Sequence, residues 1–214
     1  MHVHVSPGDG KYTAEQLQKI CKGLCYFDDA ITRIMPAERK DNPWATSNVA
    51  GRGSKVNQKL RRTYSQVPTK SWAQLFTLLN KVTPKLVYSL LSGDCDRRYL
   101  SWNFENVTES CGTVEFRRPP GVDSAAKAIH WAAFTLGFVA RALAVDWAPF
   151  ESLNTLGSVG ELERFIAQGL LVLGPSTADS LCGAIVEDTS PPAVLTPEEL
   201  GAIERKMKNK DEGR

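Results

Sequence analysis

The sequence predicts an α+β fold: a small, mostly antiparallel sheet with helices packed on one face and a helical C-terminal extension. Two observations predict it. Leu100, Trp102 and Phe104 alternate with Ser101, Asn103 and Glu105, and Val114 and Phe116 alternate with Thr113, Glu115 and Arg117. This is the period of half-buried strands, and the stretch from Arg97 to Gly121 reads as a hairpin ended by Pro119-Pro120-Gly121. Elsewhere apolar residues recur at helical spacing behind capping-box signatures.

Taken in order, His2 to Val5 alternates imidazole and valine, which in a strand sets both rings on one face. Pro7 to Gly10 is a turn. Thr13-Ala14-Glu15-Gln16 then opens a helix with Leu17, Ile20, Cys21, Leu24, Phe27, Ile31 and Ile34 on one stripe, closed by Pro36. From Asn42 to Gly93 there is no Asp or Glu, whereas Arg52, Lys55, Lys59, Arg61, Arg62, Lys70, Lys81 and Lys85 all fall there. The part through about Pro68 is expected to be a basic loop and the most mobile internal region. Trp72 to Leu79 and Lys85 to Leu91 read as helices. After the hairpin, Ser124 to about Val145 is apolar nearly all round and is expected to be buried. Glu161 to Leu173 is amphipathic and stops at Gly174-Pro175. Glu187 to Leu195 reads as a linker, and Thr196-Pro197-Glu198-Glu199 caps a charged final helix. The organisation expected is one domain over 1–150 with the basic loop at 40–68, a helical extension over 151–186, the linker 187–195, and the helix 196–214.

With 214 residues, 42% hydrophobic and 23% charged, the chain has the composition of a globular domain. A net charge of +2 selects no partner. Five cysteines without CxxC spacing argue for free thiols in a reducing compartment. Met1 is followed by His-Val-His-Val and not by a secretory leader, and the longest apolar run, Ile129 to Ala140, is too short for a bilayer. A cytoplasmic protein with neither membrane nor nucleic-acid partner is expected, since the basic run from Arg52 to Arg62 lacks interleaved aromatic residues. Polyphosphate is the anion that stretch favours.

Three charged or ligating groups stand out. His2 and His4 can converge on a metal, although an HxH pair is often incidental. Glu115 with Arg117 and Arg118 is either a structural ion pair or a carboxylate that holds a divalent cation beside an arginine fork that grips phosphate or carboxylate. His130 reads as a core or boundary histidine.

The strand HVHV at 2–5, the segment FDDAITRIMPAERKDNPWATSN at 27–48, and LSWNFENVTESCGTVEFRRPPG at 100–121 with AIHWAAFTLGFV at 128–139 together resemble the amidoligase family of fungal type. That family is a branch of the carboxylate-amine ligase superfamily that includes glutamine synthetase and glutamate-cysteine ligase. The resemblance covers roughly residues 1–145. It implies a partial, curved catalytic sheet and ATP-dependent joining of a small-molecule or peptide carboxylate to an amine through an acyl phosphate, in peptide or natural-product metabolism. ATP and Mg2+ or Mn2+ are the implied cofactors. By motif position His2 and Glu115 resemble metal ligands, His4 the neighbour facing the nucleotide phosphates, and Arg117, with Arg118 beside it, the arginine that stabilises the transferred phosphoryl group. Arg39 and Asn42 fall in a segment that would contact the nucleotide, as does Asn48. The family also carries a Glu-x-Glu strand upstream of its histidine strand. That half has no counterpart in this sequence, so the chain is expected to be an active ligase, a fragment, half of a site completed by another protein chain or in an oligomer, or an inactive or truncated relative that binds or assembles. A mononuclear metal hydrolase using His2, His4 and Glu115 is a further reading.

Overall fold

The computed structural model describes residues 1–50, 57–92, 99–181, 183 and 185–213. Its architecture is α+β, as the periodicities predict. Three short strands, β1 (Val3–Val5), β2 (Trp102–Asn103) and β3 (Val114–Phe116), form an antiparallel sheet in the order β1-β3-β2. Eight α-helices accompany it among the described residues: α1 (Ala14–Arg33), α2 (Gln58–Ser65), α3 (Val67–Lys70), α4 (Ala73–Leu79), α5 (Val87–Ser92), α6 (Ala125–Ala144), α7 (Val159–Leu173) and α8 (Pro197–Glu212). Arg52 and Lys55 of the acid-free stretch, and Arg97 at the start of the hairpin stretch, lie outside the described residues.

The sheet's apolar face, carrying Val5, Val114, Phe116 and Trp102, is buried under α6. Phe116 stacks on Phe134 with ring centroids 5.7 Å apart, and Trp102 packs on Phe138 at 5.1 Å. α1 runs through the same core. Its cap at Thr13 forms both reciprocal bonds of a capping box with Gln16, and Leu17, Ile20, Leu24, Phe27 and Ile31 are fully enclosed. Phe165 of α7 meets both Phe27 and Phe138, which places α7 in that core as well. Of the final helix, Met207 is buried.

Two expectations need correction. The 57–68 part of the expected loop is helical: Asn57 caps α2 by accepting from the amides of Lys59 and Leu60, and Leu60, Tyr64 and Val67 are buried. Three apolar contacts hold it, too few to give a visible stripe, so tertiary packing supplies what periodicity does not. α6 is not buried all round. Trp131, Phe134 and Phe138 face the interior, whereas Ile129 and Leu136 are 54% and 40% exposed, because the sheet, α1 and α7 leave that side open.

Behind the sheet, Asp28 of α1 is buried and accepts from the Ser47 hydroxyl at 2.7 Å. Burial raises its pKa, opposed by the Arg118 charge and the Ser47 hydrogen bond. The folded protein thus holds this proton more tightly than the unfolded chain does. Its contribution to stability is full below the ordinary value of 3.8 and is lost as the pH rises through the higher folded value. Denaturation midpoints measured from pH 3 to pH 7 are expected to shift in favour of Asp28→Asn, relative to the parent, as the pH rises. A constant offset across that range would contradict the assignment.

Cys21, Cys25 and Cys111 are free, the first two buried with thiol pKa values pushed up by burial. Because the thiolate is the reactive species, brief alkylation followed by peptide mass spectrometry is expected to label Cys111 and spare Cys21 and Cys25. Equal labelling would contradict this core.

Candidate functional site

The opposite face of the sheet is polar, and the register organises it. Because β3 is central, His4 and Asn103 both pair with Glu115, one from each side. Just beyond β3, the Arg117 amide donates to the Ser101 carbonyl at 2.8 Å, and its side chain turns to the Glu115 carboxylate, as does that of His2 just before β1. Side chains of period two put His4, Glu115 and Asn103 on one face in a row across three strands, with His2 and Arg117 one step along on the same face. Ser101, a bend whose amide bonds the Thr46 carbonyl on the opposite edge, lies outside this pattern.

Glu115 is the hub. It is only 3% exposed, and four side chains converge on its carboxylate. His2 Nδ1 lies 2.9 Å and His4 Nε2 3.5 Å from Oε1. Arg117 Nη1 donates to Oε1 at 3.1 Å and to Oε2 at 3.3 Å, and Asn103 Nδ2 donates to Oε2 at 2.9 Å. Burying a carboxylate this deeply requires such partners. Both imidazoles remain about half exposed, so the carboxylate forms the floor and the histidines the rim. Burial and the Arg117 charge lower the pKa of His2, while Glu115 acts against them. This holds His2 toward the neutral ring, the form that can ligate a metal. With its Nδ1 hydrogen assigned toward Glu115, the His2 lone pair lies on Nε2.

The surrounding segments fix the strands. The residue range 46–48 runs along the outer edge of β2: the Thr46 amide donates to the Tyr99 carbonyl, and the Ser101 amide to the Thr46 carbonyl at 2.7 Å. Asn48 continues this edge with its side chain, accepting from the Trp102 amide and donating to the Trp102 carbonyl, both at 2.9 Å. Arg39 donates to the carbonyls of Arg118 and Arg117 at 2.9 and 2.6 Å, which pins the chain just beyond β3. Asn42 bonds its own turn, donating to the Glu38 carbonyl and accepting from the Trp44 amide. Lys40, 8% exposed, donates to the Ser190 carbonyl at 2.6 Å and so ties the 185–193 segment to this turn.

The structure therefore brings His2, His4, Glu115 and Arg117 together. It does not bring Arg118 with them: that residue follows Arg117 and takes the other side of the sheet, donating to the Thr32 hydroxyl at 2.7 Å beside Asp28. Arg39, Asn42 and Asn48 bond backbone around the site and not the Glu115 cluster. Asn103 is a member that sequence reasoning left without a role. Its alternation with the apolar residues of its strand was the available signal, but only the pairing of β2 with β3 turns that into contact with Glu115.

The donor set is two imidazoles and one carboxylate, already bonded to one another and to Arg117. Among the described residues no group of three or more His, Cys, Asp or Glu is spaced as a ready-made metal cage. No helix among them is long and apolar enough to cross a membrane. Their chemistry suits a single cation of intermediate softness, manganese or zinc, better than magnesium, which asks for octahedral oxygen ligands. A shallow cleft between α5 and β2, lined by Tyr88, Leu91 and Asn103 among others, has no room for even a water-sized guest.

No curated protein and no solved structure matches the chain. A family model described as putative amidoligase enzyme does match, over residues 1–139, which take in all three strands, the whole polar face and most of α6. With well over half of its length matched, and with the polar side chains of that face inside the matched part, the chain belongs to the putative amidoligase enzyme family.

Proposed function

We propose that the polar face is the phosphoryl-transfer side of an ATP-dependent amidoligase that joins a small-molecule or peptide carboxylate to an amine through an acyl phosphate. The observation that carries this reading is the convergence of His2, His4, Glu115 and Arg117 on one sheet face. Phosphoryl transfer depends on cationic charge arranged around the transferred group more than on a strong base. Arg117, permanently charged and planar, supplies a fork for a phosphoryl group. His2 and His4 at the rim would hold a divalent cation, with Glu115 beneath neutralising its charge and orienting the His2 ring. When bound, the cation screens the nucleotide phosphates. In the reaction a substrate carboxylate oxygen attacks the γ-phosphorus and ADP leaves. The amine then attacks the acyl carbon, and phosphate leaves as the nitrogen loses a proton. Mn2+ is expected to serve better than Mg2+.

Calorimetric titration with ATP tests this. Binding is expected with Mn2+, more weakly with Mg2+, and at least tenfold weaker in Arg117→Lys, which keeps charge but loses the fork. Affinity that ignores both the cation and the substitution would overturn the reading. A second reading, a binding or assembly protein without turnover, is favoured by one observation: Arg117 and Asn103 already donate to the Glu115 carboxylate, with the His2 and His4 rings against it. ATP binding without ADP formation across carboxylate and amine panels would select it.

A further inference from the structure

The two rim histidines turn different nitrogens toward the floor of the site. His2 presents Nδ1 to the Glu115 carboxylate at 2.9 Å, whereas His4 presents Nε2 at 3.5 Å. The second nitrogen of His4 is engaged elsewhere: Nδ1 lies 3.2 Å from the hydroxyl of Thr113, the residue just before β3. Thr113 Oγ1 in turn donates to Cys111 Sγ at 3.8 Å. Glu115, His4, Thr113 and Cys111 thus form one line of contacts that runs outward from the buried carboxylate to an exposed thiol.

Hydrogen-bond direction along this line decides which atom of His4 is free to ligate. A hydroxyl both donates and accepts, so Thr113 serves either neutral tautomer of the ring. When it donates to Nδ1, the ring hydrogen sits on Nε2 and points to Glu115. When it turns its hydrogen to Cys111, it accepts from Nδ1–H, and the lone pair lies on Nε2, facing Glu115 Oε1. Two acceptors that face each other repel unless a cation joins them. Their 3.5 Å separation is close to the roughly 3.4 Å between two ligands of a tetrahedral cation with bonds of about 2.1 Å. Histidine ligands characteristically hand their second N–H to such an outer partner, which fixes both the ring and its tautomer.

We propose that Thr113 is the positioning residue for His4: its hydroxyl holds Nδ1, so that Nε2 is the nitrogen presented to a divalent cation beside Glu115. This rests on reading the polar face as a cation site, but not on ATP turnover.

The test uses the full chain with Mn2+ or Zn2+ and no nucleotide. Thr113→Val keeps the branched shape and removes the hydroxyl, and Thr113→Ser keeps the hydroxyl. Thr113 is half-buried and valine suits a strand, so Thr113→Val is expected to leave Tm unchanged. It is expected to weaken Mn2+ binding about tenfold or more, the loss typical of removing the outer partner of a histidine ligand, and Thr113→Ser to restore the affinity. Nitrogen-15 spectra of the imidazoles need no variant: with diamagnetic Zn2+ bound to the parent, His4 is expected to carry its hydrogen on Nδ1 and the metal on Nε2. Metal on Nδ1, Mn2+ affinity unchanged in Thr113→Val, loss of affinity in Thr113→Ser as well, or no cation binding by the parent would each overturn the proposal. If Thr113→Val loses the cation while ATP with Mn2+ does not bind the parent, Thr113 keeps its role and the ligase reading fails. If ATP with Mn2+ binds and Thr113→Val holds the cation like the parent, the ligase reading stands and the role of Thr113 fails.

Discussion

Replacing Glu115 with alanine is expected to destabilise the fold by about 3–5 kcal/mol, the cost typical of removing one member of a buried ion pair. The reason is Arg117. It is 7% exposed, and among the described residues its side chain hydrogen-bonds to Glu115, through Nη1. Asn103 Nδ2 loses its acceptor as well. Truncation therefore strands a buried guanidinium and a buried amide together. Glu115→Gln keeps an acceptor of the same shape, so it is expected to cost less, yet to abolish cation binding at the histidine rim. Urea denaturation of both variants, with Mn2+ binding followed by paramagnetic resonance, separates the two effects. If Glu115→Ala melts like the parent, Arg117 has water or another partner and the cluster does not hold the sheet face.

A second large effect is expected at the crossing of α6 and α7. A Cβ on Gly169 would lie 1.8 Å from the Gly137 carbonyl oxygen, and one on Gly137 would lie 2.7 Å from the Ile166 carbonyl oxygen. These obstacles are backbone atoms and cannot rotate away. Alanine in a helix normally gains up to about 1 kcal/mol over glycine, but forcing two backbones apart costs about 3 kcal/mol. The overlap wins. Gly169→Ala is expected to lower Tm by roughly 4–8 °C for a chain of this size. Gly160 lies in the same helix with only the end of Arg164 within 4 Å of its Cβ position, so Gly160→Ala should be neutral or slightly stabilising. A Gly169→Ala protein that melts like the Gly160→Ala control would mean that the helices do not cross at these residues.

Much of this protein is determined by local pattern. Period two in His2–Val5 and in Thr113–Arg117 is enough to put His2 with His4 and Glu115 with Arg117 on their respective strand faces, and the same parity sends Arg118 to the other side. Capping-box spacing at Thr13 and Thr196 starts α1 and α8 where it predicts. The box at Ser158 and Glu161 starts α7 earlier than its apolar stripe alone suggests. Such features need only neighbours in the chain, so the amino-acid order specifies them.

The rest needed contacts between residues far apart in sequence. Nothing in local periodicity says that β3 is central, and a sheet ordered otherwise would leave His4 and Asn103 on strands that never meet Glu115. Asn48 can mimic a strand only because β2 lies beside it. α2 becomes a helix because Leu60 and Tyr64 find a buried surface. α6 shows an open side because the interior elements cover only part of its circumference. Strand parity is fixed by covalent geometry at each residue, whereas strand order and helix coverage are fixed by which distant surfaces bury each other, and that free energy is spread over the whole core.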